Sequence, residues 1–150
     1  MTLVSRILGA LLNVQAIAAG EAAGLKLGAY GADSEFRLGT YERPVQVAIA
    51  ASLSAGDVFY DVGANVGFFS LIAARKVGPQ GCVYAFEPVP SNVSVITCCA
   101  QLNNFDKITV FQEAVGVATG RAELLLAHHI GGATLASAGA PPDNPRMHRG

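Results

Sequence analysis

Between Val58 and Ser70 the chain reads Val58-Phe59-Tyr60-Asp61-Val62-Gly63-Ala64-Asn65-Val66-Gly67-Phe68-Phe69-Ser70. Apolar, β-prone residues end in a carboxylate, a glycine-spaced turn follows, and an apolar helical run then continues to Val77. Strand, turn and helix in that order make the first βα unit of a doubly wound α/β sheet, where ligands sit at the C-terminal ends of the strands. Asp61 stands at that end. Gly63 and Gly67 let backbone approach a ligand closely, and amides at the start of the helix are expected to point into the same crevice.

The glycine spacing discriminates between ligands. A dinucleotide fingerprint needs glycine where the backbone meets the pyrophosphate and a small residue where helix packs on strand, but counting from Gly63 those places hold Asn65 and Phe68. No lysine follows the turn, which excludes a phosphate-binding P-loop. A nucleoside ligand without phosphates remains, and S-adenosylmethionine fits: its amino-acid end can lie over the turn with Asp61 near the ammonium. A second strand, Cys82 to Phe86, ends in Glu87, 20 residues beyond Gly67. An acidic residue at that interval meets ribose hydroxyls, and its two oxygens can accept from two vicinal hydroxyls.

Taken together, Asp61-Val62-Gly63-Ala64-Asn65-Val66-Gly67-Phe68-Phe69-Ser70 and Ala85-Phe86-Glu87-Pro88 resemble the S-adenosylmethionine-dependent methyltransferases of the FkbM family. The resemblance implies an α/β fold, the N-terminal portion of a Rossmann-like doubly wound methyltransferase sheet preceded by a helical segment. It implies S-adenosylmethionine as cofactor, with Gly63, Ala64, Asn65 and Gly67 around the methionine part, Asp61 beneath it and Glu87 on the ribose. Phe68 and Pro88 adjoin that set. Gly39-Thr40-Tyr41-Glu42 resembles the pre-strand segment that closes over the cofactor in this family, so Tyr41 and Glu42 are further expected site residues, against the plainer reading of a solvated loop glutamate beside a packed tyrosine. Glu113 or Gln112, after the third strand, is expected to face the adenine, with a plain surface role as its alternative. The implied reaction is O-methylation of a hydroxyl on a sugar or secondary metabolite, and no residue identifies a catalytic base. The rival readings are an NAD-dependent enzyme, disfavoured by Asn65 and Phe68, and a non-catalytic, degenerate half-domain that acts only in binding or interaction.

Composition bounds the rest. A chain of 150 residues, 51% hydrophobic and 14% charged, is the size of one domain with a large buried core. A formal net charge of -1 supplies no basic field for nucleic acid or an anionic membrane, so neither is expected as a partner. Cys82, Cys98 and Cys99 have neither zinc-ligand spacing nor disulfide density, which reads as reduced core thiols of a cytoplasmic protein without a metal site.

At the N-terminus Leu3, Ile7, Leu11, Val14 and Ala18 make one apolar helical stripe. A secretory leader, with Arg6 as its basic start and Ala16-Ile17-Ala18 as its cleavage site, is weakened by Asn13 and Gln15. Phe36 to Pro44 reads as an extended approach and Val45 to Leu53 as a short helix. Pro88 to Asn92 opens another helix that continues to Leu102, and Asn103-Asn104 closes it through the left-handed conformation, which makes Asn103 structural. Lys107 to Phe111 is a third strand, Gly116 to Gly120 a turn and Arg121 to Ala127 a fourth extended segment, with His128 and His129 as loop residues. From Gly131 the composition predicts disorder. The expected organisation is 1–38 as helix and loop, 39–135 as an incomplete cofactor-binding domain and 136–150 as a tail. The resemblance ends near Leu135, before the further strands of the family and their Asp-x-Glu-Gly-like motif. The expectation is therefore a C-terminally truncated domain whose first strand leaves one sheet edge unpaired, a surface for self-association.

Overall fold

The computed structural model describes residues 13–28, 34–120, 124–126 and 133–135. The chain divides after Val115 into two compact units. In the first, strands β1 (Val14–Ala16) and β2 (Lys26–Gly28) form an antiparallel hairpin around a 3-10 turn at Gly20–Ala22. Helices α1 (Ser34–Leu38) and α2 (Arg43–Ser52) follow, then β3 (Val58–Val62), α3 (Phe68–Val77), β4 (Cys82–Phe86), α4 (Pro90–Leu102) and β5 (Ile108–Phe111). The second unit contributes an antiparallel pair, β6 (Leu124–Leu126) and β7 (Ala133–Leu135).

The three central strands are parallel in the order β3-β4-β5, with Asp61 opposite Ala85 and Phe86 opposite Phe111. Both crossovers are helical, which makes this a parallel α/β arrangement, the N-terminal portion of the doubly wound sheet that the Val58–Ser70 pattern predicts. Helix α3 begins and ends where the sequence places it. Seven of its ten residues are buried, Phe68, Ser70, Leu71, Ile72, Ala73, Ala74 and Val77. A helix apolar nearly all round has to be covered on more than one side; α3 packs on β3 and β4 and also meets α2 and the Gly20–Ala22 turn. Helix α4 starts with Pro90 at its first position, where the missing N–H costs nothing, and the residue before it, Val89, is extended as a pre-proline residue prefers.

The main core joins Ile17, Leu25 and Leu27 of the hairpin region to Phe36, Phe68, Leu71, Ile72 and Cys99. Two side-chain amides fasten this layer. Gln46 of α2, fully buried, donates from Nε2 to Gly39 O and Tyr41 O, and its Oε1 accepts the Glu21 N–H. Asn103 donates to Lys26 O and Cys99 O and accepts the Lys26 N–H, each at 2.8 Å, so it closes α4 while docking β2. The Gly28 N–H donates to Cys99 Sγ at 3.1 Å, and burial pushes that thiol up to about 12.

Three expectations change and a fourth is refined. Val14–Ala16 is a strand rather than the last turns of a helix, because the segment pairs with β2 and sends Ile17 into the core; the stripe residues before Asn13 lie outside the described residues. Phe36–Leu38 is helical, since Phe36 turns inward onto Tyr41 and Phe68. Within the Asn103-Asn104 pair that closes α4 as expected, the left-handed residue is Asn104, at φ +58°, with Asn103 in the bridge region. Ala133–Leu135 is a strand because β6 supplies a hydrogen-bonded partner that composition alone does not reveal. His128, His129 and residues 136–150 lie outside the described residues.

Candidate functional site

The C-terminal ends of β3, β4 and β5 bring Asp61, Glu87 and Glu113 to one end of the sheet. Glu87 is two residues beyond the Asp61–Ala85 register, so the two carboxylates are staggered by roughly 7 Å along the strands. Between them runs the turn 63–67. Its shape depends on three left-handed residues, Gly63 at φ +77°, Asn65 at +51° and Gly67 at +81°. The two glycines serve different ends. A Cβ on Gly63 would meet nothing within 4 Å, so the turn has open space above it. A Cβ on Gly67 would lie 3.0 Å from Ile96 Cγ1, so here glycine allows α3 to start against α4.

Glu87 is 4% exposed, and it clamps the turn. Its Oε2 accepts the Asn65 N–H at 2.8 Å, while its Oε1 accepts the Val89 N–H at 2.9 Å and Asn92 Nδ2 at 3.3 Å. Three of the four lone-pair directions of the carboxylate are thereby engaged, and one on Oε2 has no hydrogen-bond partner among the described residues. Asp61 accepts the Ser70 hydroxyl at 2.5 Å and also the Ser70 backbone N–H. Burial holds the Asp61 carboxyl above its ordinary value; the two Ser70 hydrogen bonds oppose this and the nearby Glu87 charge adds to it.

The turn amides are engaged within the protein, and of the helix-start amides expected to point into the crevice that of Ser70 donates to Asp61. The Gly63 and Ala64 N–H groups both donate to Phe86 O, at 2.9 and 3.1 Å, that of Asn65 to Glu87, and that of Gly67 to Ala64 O. These four are internal bonds that give the turn its rigidity. What faces outward is the open backbone at Gly63, with the partly buried Asp61 to one side and the buried Glu87 beneath the turn. Ala64 is buried beside Ala85 and Ile96. Phe68 is 2% exposed and its ring lies in an aromatic cluster with Phe36, Tyr41 and Phe69, so its side chain is core. Tyr41 bridges Phe68 and Phe69, and desolvation and the neighbouring Glu42 carboxylate push its phenol up. Glu42 itself is exposed at the left-handed residue before α2. Pro88 is half-buried, following Glu87 directly, and Glu113 is exposed past the end of β5.

Two residues that spacing alone did not bring forward, Ser70 and Asn92, hold the carboxylates. Their signal is helical phase: each lies in the first turn of the helix that follows its strand. Among the described residues no group of three or more His, Cys, Asp or Glu side chains is placed to hold a metal ion. An apolar cavity of about 340 Å³ lies at the opposite end of the sheet, against Val77, Pro79, Val83 and Phe105, away from both carboxylates.

Among solved structures, this chain is similar to a SAM-dependent methyltransferase from Aquifex aeolicus, at 25% identity over 54% of this chain and 42% of that one, with a TM-score of 0.45. It is also similar to the precorrin-6y C5,15-methyltransferase from Geobacter metallireducens, at 22% identity over 49% and 39%, with a TM-score of 0.43. The chain thus spans about two fifths of the length of either structure. No curated protein matches it. The model of the methyltransferase FkbM domain matches residues 61–148, starting at the strand-end carboxylate and running through the turn and Glu87. That match covers more than half of the sequence, and the chain belongs to the FkbM methyltransferase family.

Proposed function

We propose that this chain binds S-adenosylmethionine at the β3–β4 end of the sheet and acts as an O-methyltransferase on a hydroxyl of a small molecule, a sugar or a secondary metabolite. The observation that carries the cofactor assignment is the staggered pair of carboxylates on either side of an open glycine turn. Asp61 suits an ammonium group, and the remaining acceptor position on Glu87 Oε2 suits one ribose hydroxyl. The open space above Gly63 fits a ligand lying across the turn. Family membership is the second support.

The bound cofactor supplies a sulfonium methyl, already activated for transfer to an acceptor oxygen. The protein's part is therefore alignment and exclusion of water more than bond activation. Rigid strands β3 and β4 carry Asp61 and the residue before Glu87, and the internally bonded turn fixes their separation. Glu113, exposed beyond β5, is assigned to the adenine edge, and Glu42 with Tyr41 to the border of the site beside Phe68 and Phe69. The proposed setting is cytoplasmic, supported by Cys82, Cys98 and Cys99, all free thiols; among the described residues no helix is long and apolar enough to cross a membrane.

The test is calorimetric titration of the 150-residue chain with S-adenosylhomocysteine, with NADH as control. Glu87→Gln, which keeps the side chain's shape, is expected to weaken binding by about 10-fold to 100-fold, since hydrogen bonds to charged groups are worth about 1.5–3 kcal/mol. No heat with the homocysteine ligand, in a chain that circular dichroism shows to be folded, would overturn the proposal.

A further inference from the structure

We infer that Asn92 is a positioning residue that couples the two halves of the cofactor site, joining the turn at Asn65 to the carboxylate of Glu87 so that they bind as one unit. The inference rests on the cofactor reading above, and it concerns a residue outside the two motifs that define that reading. Asn92 sits in the first turn of α4. Its Nδ2 lies 3.3 Å from Asn65 Oδ1 and 3.3 Å from Glu87 Oε1. A side-chain amide nitrogen carries two hydrogens, so it can serve both acceptors, and two oxygen neighbours leave no room for the flipped amide.

Asn65 and Glu87 are already joined by the 2.8 Å bond from the Asn65 N–H to Oε2. Asn92 closes this contact into a ring of three residues from three elements: the turn, the end of β4 and the start of α4. Asn65 holds a left-handed backbone at φ +51°, a conformation that needs support from its surroundings. The Asn92 amide supplies it from the side chain, as Glu87 supplies it from the backbone. The two bonds held on Oε1, from the Val89 N–H and the Asn92 amide, fix the carboxylate plane and so aim the lone pair left on Oε2. The other acidic group facing Glu87 is Asp61, bound to Ser70 and common to every variant below.

The experiment compares the full chain with Asn92→Ala and Asn92→Asp by two readouts. One is hydrogen exchange of the Asn65 backbone amide in ligand-free protein; the other is calorimetric affinity for S-adenosylhomocysteine followed from about pH 8 down to about pH 4.5, since two carboxyl groups that share a site raise the pKa of one of them strongly. Asn92→Ala is expected to speed Asn65 exchange and weaken binding by about 10-fold at every pH, the loss of one bond to a charged group. Asn92→Asp places a second carboxylate against Glu87 and is expected to be the weaker variant at pH 8. As pH falls the pair takes up one proton, an O–H donor replaces the amide N–H, and both protection and affinity return toward those of the parent. Affinities within twofold of the parent with unchanged Asn65 exchange overturn the inference. Equal losses in both variants with no recovery at low pH also overturn it, since they are what a general packing role produces. Altered Asn65 exchange in a set of proteins none of which binds the homocysteine ligand overturns the cofactor reading instead, and the coupling role with it.

Discussion

The two faces of the β3–β4–β5 sheet are built from alternate residues of the same strands and meet opposite fates. One face carries Phe59, Val83, Ala85, Ile108 and Val110, and it is covered by α3 and α4 through Ala73, Ala74, Val77 and Ile96. The other carries Val58, Tyr60 and Val62, which are 51%, 63% and 60% exposed, beside Tyr84, Phe86 and Phe111. Its rings form a ladder, with Tyr60 5.3 Å from Tyr84 and Phe86 stacked 4.8 Å from Phe111. The difference follows from handedness. Strands in the order β3-β4-β5 joined by right-handed crossovers put both helices on the same side. Among the described residues no helix follows a strand on the far side of β3, so no described helix winds back over the second face. The site escapes this asymmetry because it is made at the strand ends, where the loops and helix starts of the covered side converge.

That contrast can be broken or sharpened by substitution. The largest effect is expected at the covered face: Leu71→Ala in α3, at 0% exposure, should cost about 3 kcal/mol by urea denaturation, the usual penalty for a buried leucine cavity. Gly67→Ala is next. Its φ of +81° and the 3.0 Å approach to Ile96 should together cost about 2 kcal/mol, and the same substitution made in an Ile96→Ala background should cost less by the packing share alone.

A third test is the pH dependence of Asp61. Its carboxyl is held above the ordinary value chiefly by burial, so the folded chain binds more protons than the unfolded chain over the interval between the two values. The stability due to this group is therefore greatest below the ordinary carboxylate value and is lost as pH rises through the raised one. Subtracting the urea stability of Asp61→Asn from that of the parent, between about pH 4 and pH 8, should give a difference that falls with pH. Affinity for an ammonium-bearing ligand should move the other way, rising as Asp61 ionises. A flat difference would mean that the Ser70 hydrogen bonds cancel the effect of burial, and a difference that rises with pH that they outweigh it.

The smallest effect is expected on the open face. Tyr60→Ser should alter stability by no more than about 0.5 kcal/mol. A cost near that of Leu71→Ala would mean that the aromatic ladder is covered in solution, and the two faces would then be alike.

Part of the site is legible in the amino-acid sequence. Asp61, the turn and Glu87 can be read because strand, turn and helix follow one another without interruption, and each carries a local signature: β-prone residues, glycine spacing, an apolar helical run. Helix α3 and strand β4 begin and end where that signature places them. Less legible is how the groups are used. The glycines mark the turn as a place of close approach, yet three of its amides bond to Phe86 O and Glu87, which arrive from the neighbouring strand, and a fourth to Ala64 O. Phe68 looks like a site residue because it adjoins Gly67, but helical phase turns it into the core.

Local sequence determined the identity and order of the elements around the site, since propensity, glycine and proline placement and hydrophobic period act over a few residues. Only the tertiary structure decided what depends on distant partners. Val14–Ala16 became a strand because β2 was there to pair with it, in spite of an apolar stripe at helical spacing. Asn92 and Ser70 became supports because α4 and α3 bring them to carboxylates five and nine residues away in sequence. Which face of the sheet is covered was settled by strand order and crossover hand, and both are properties of the assembled chain.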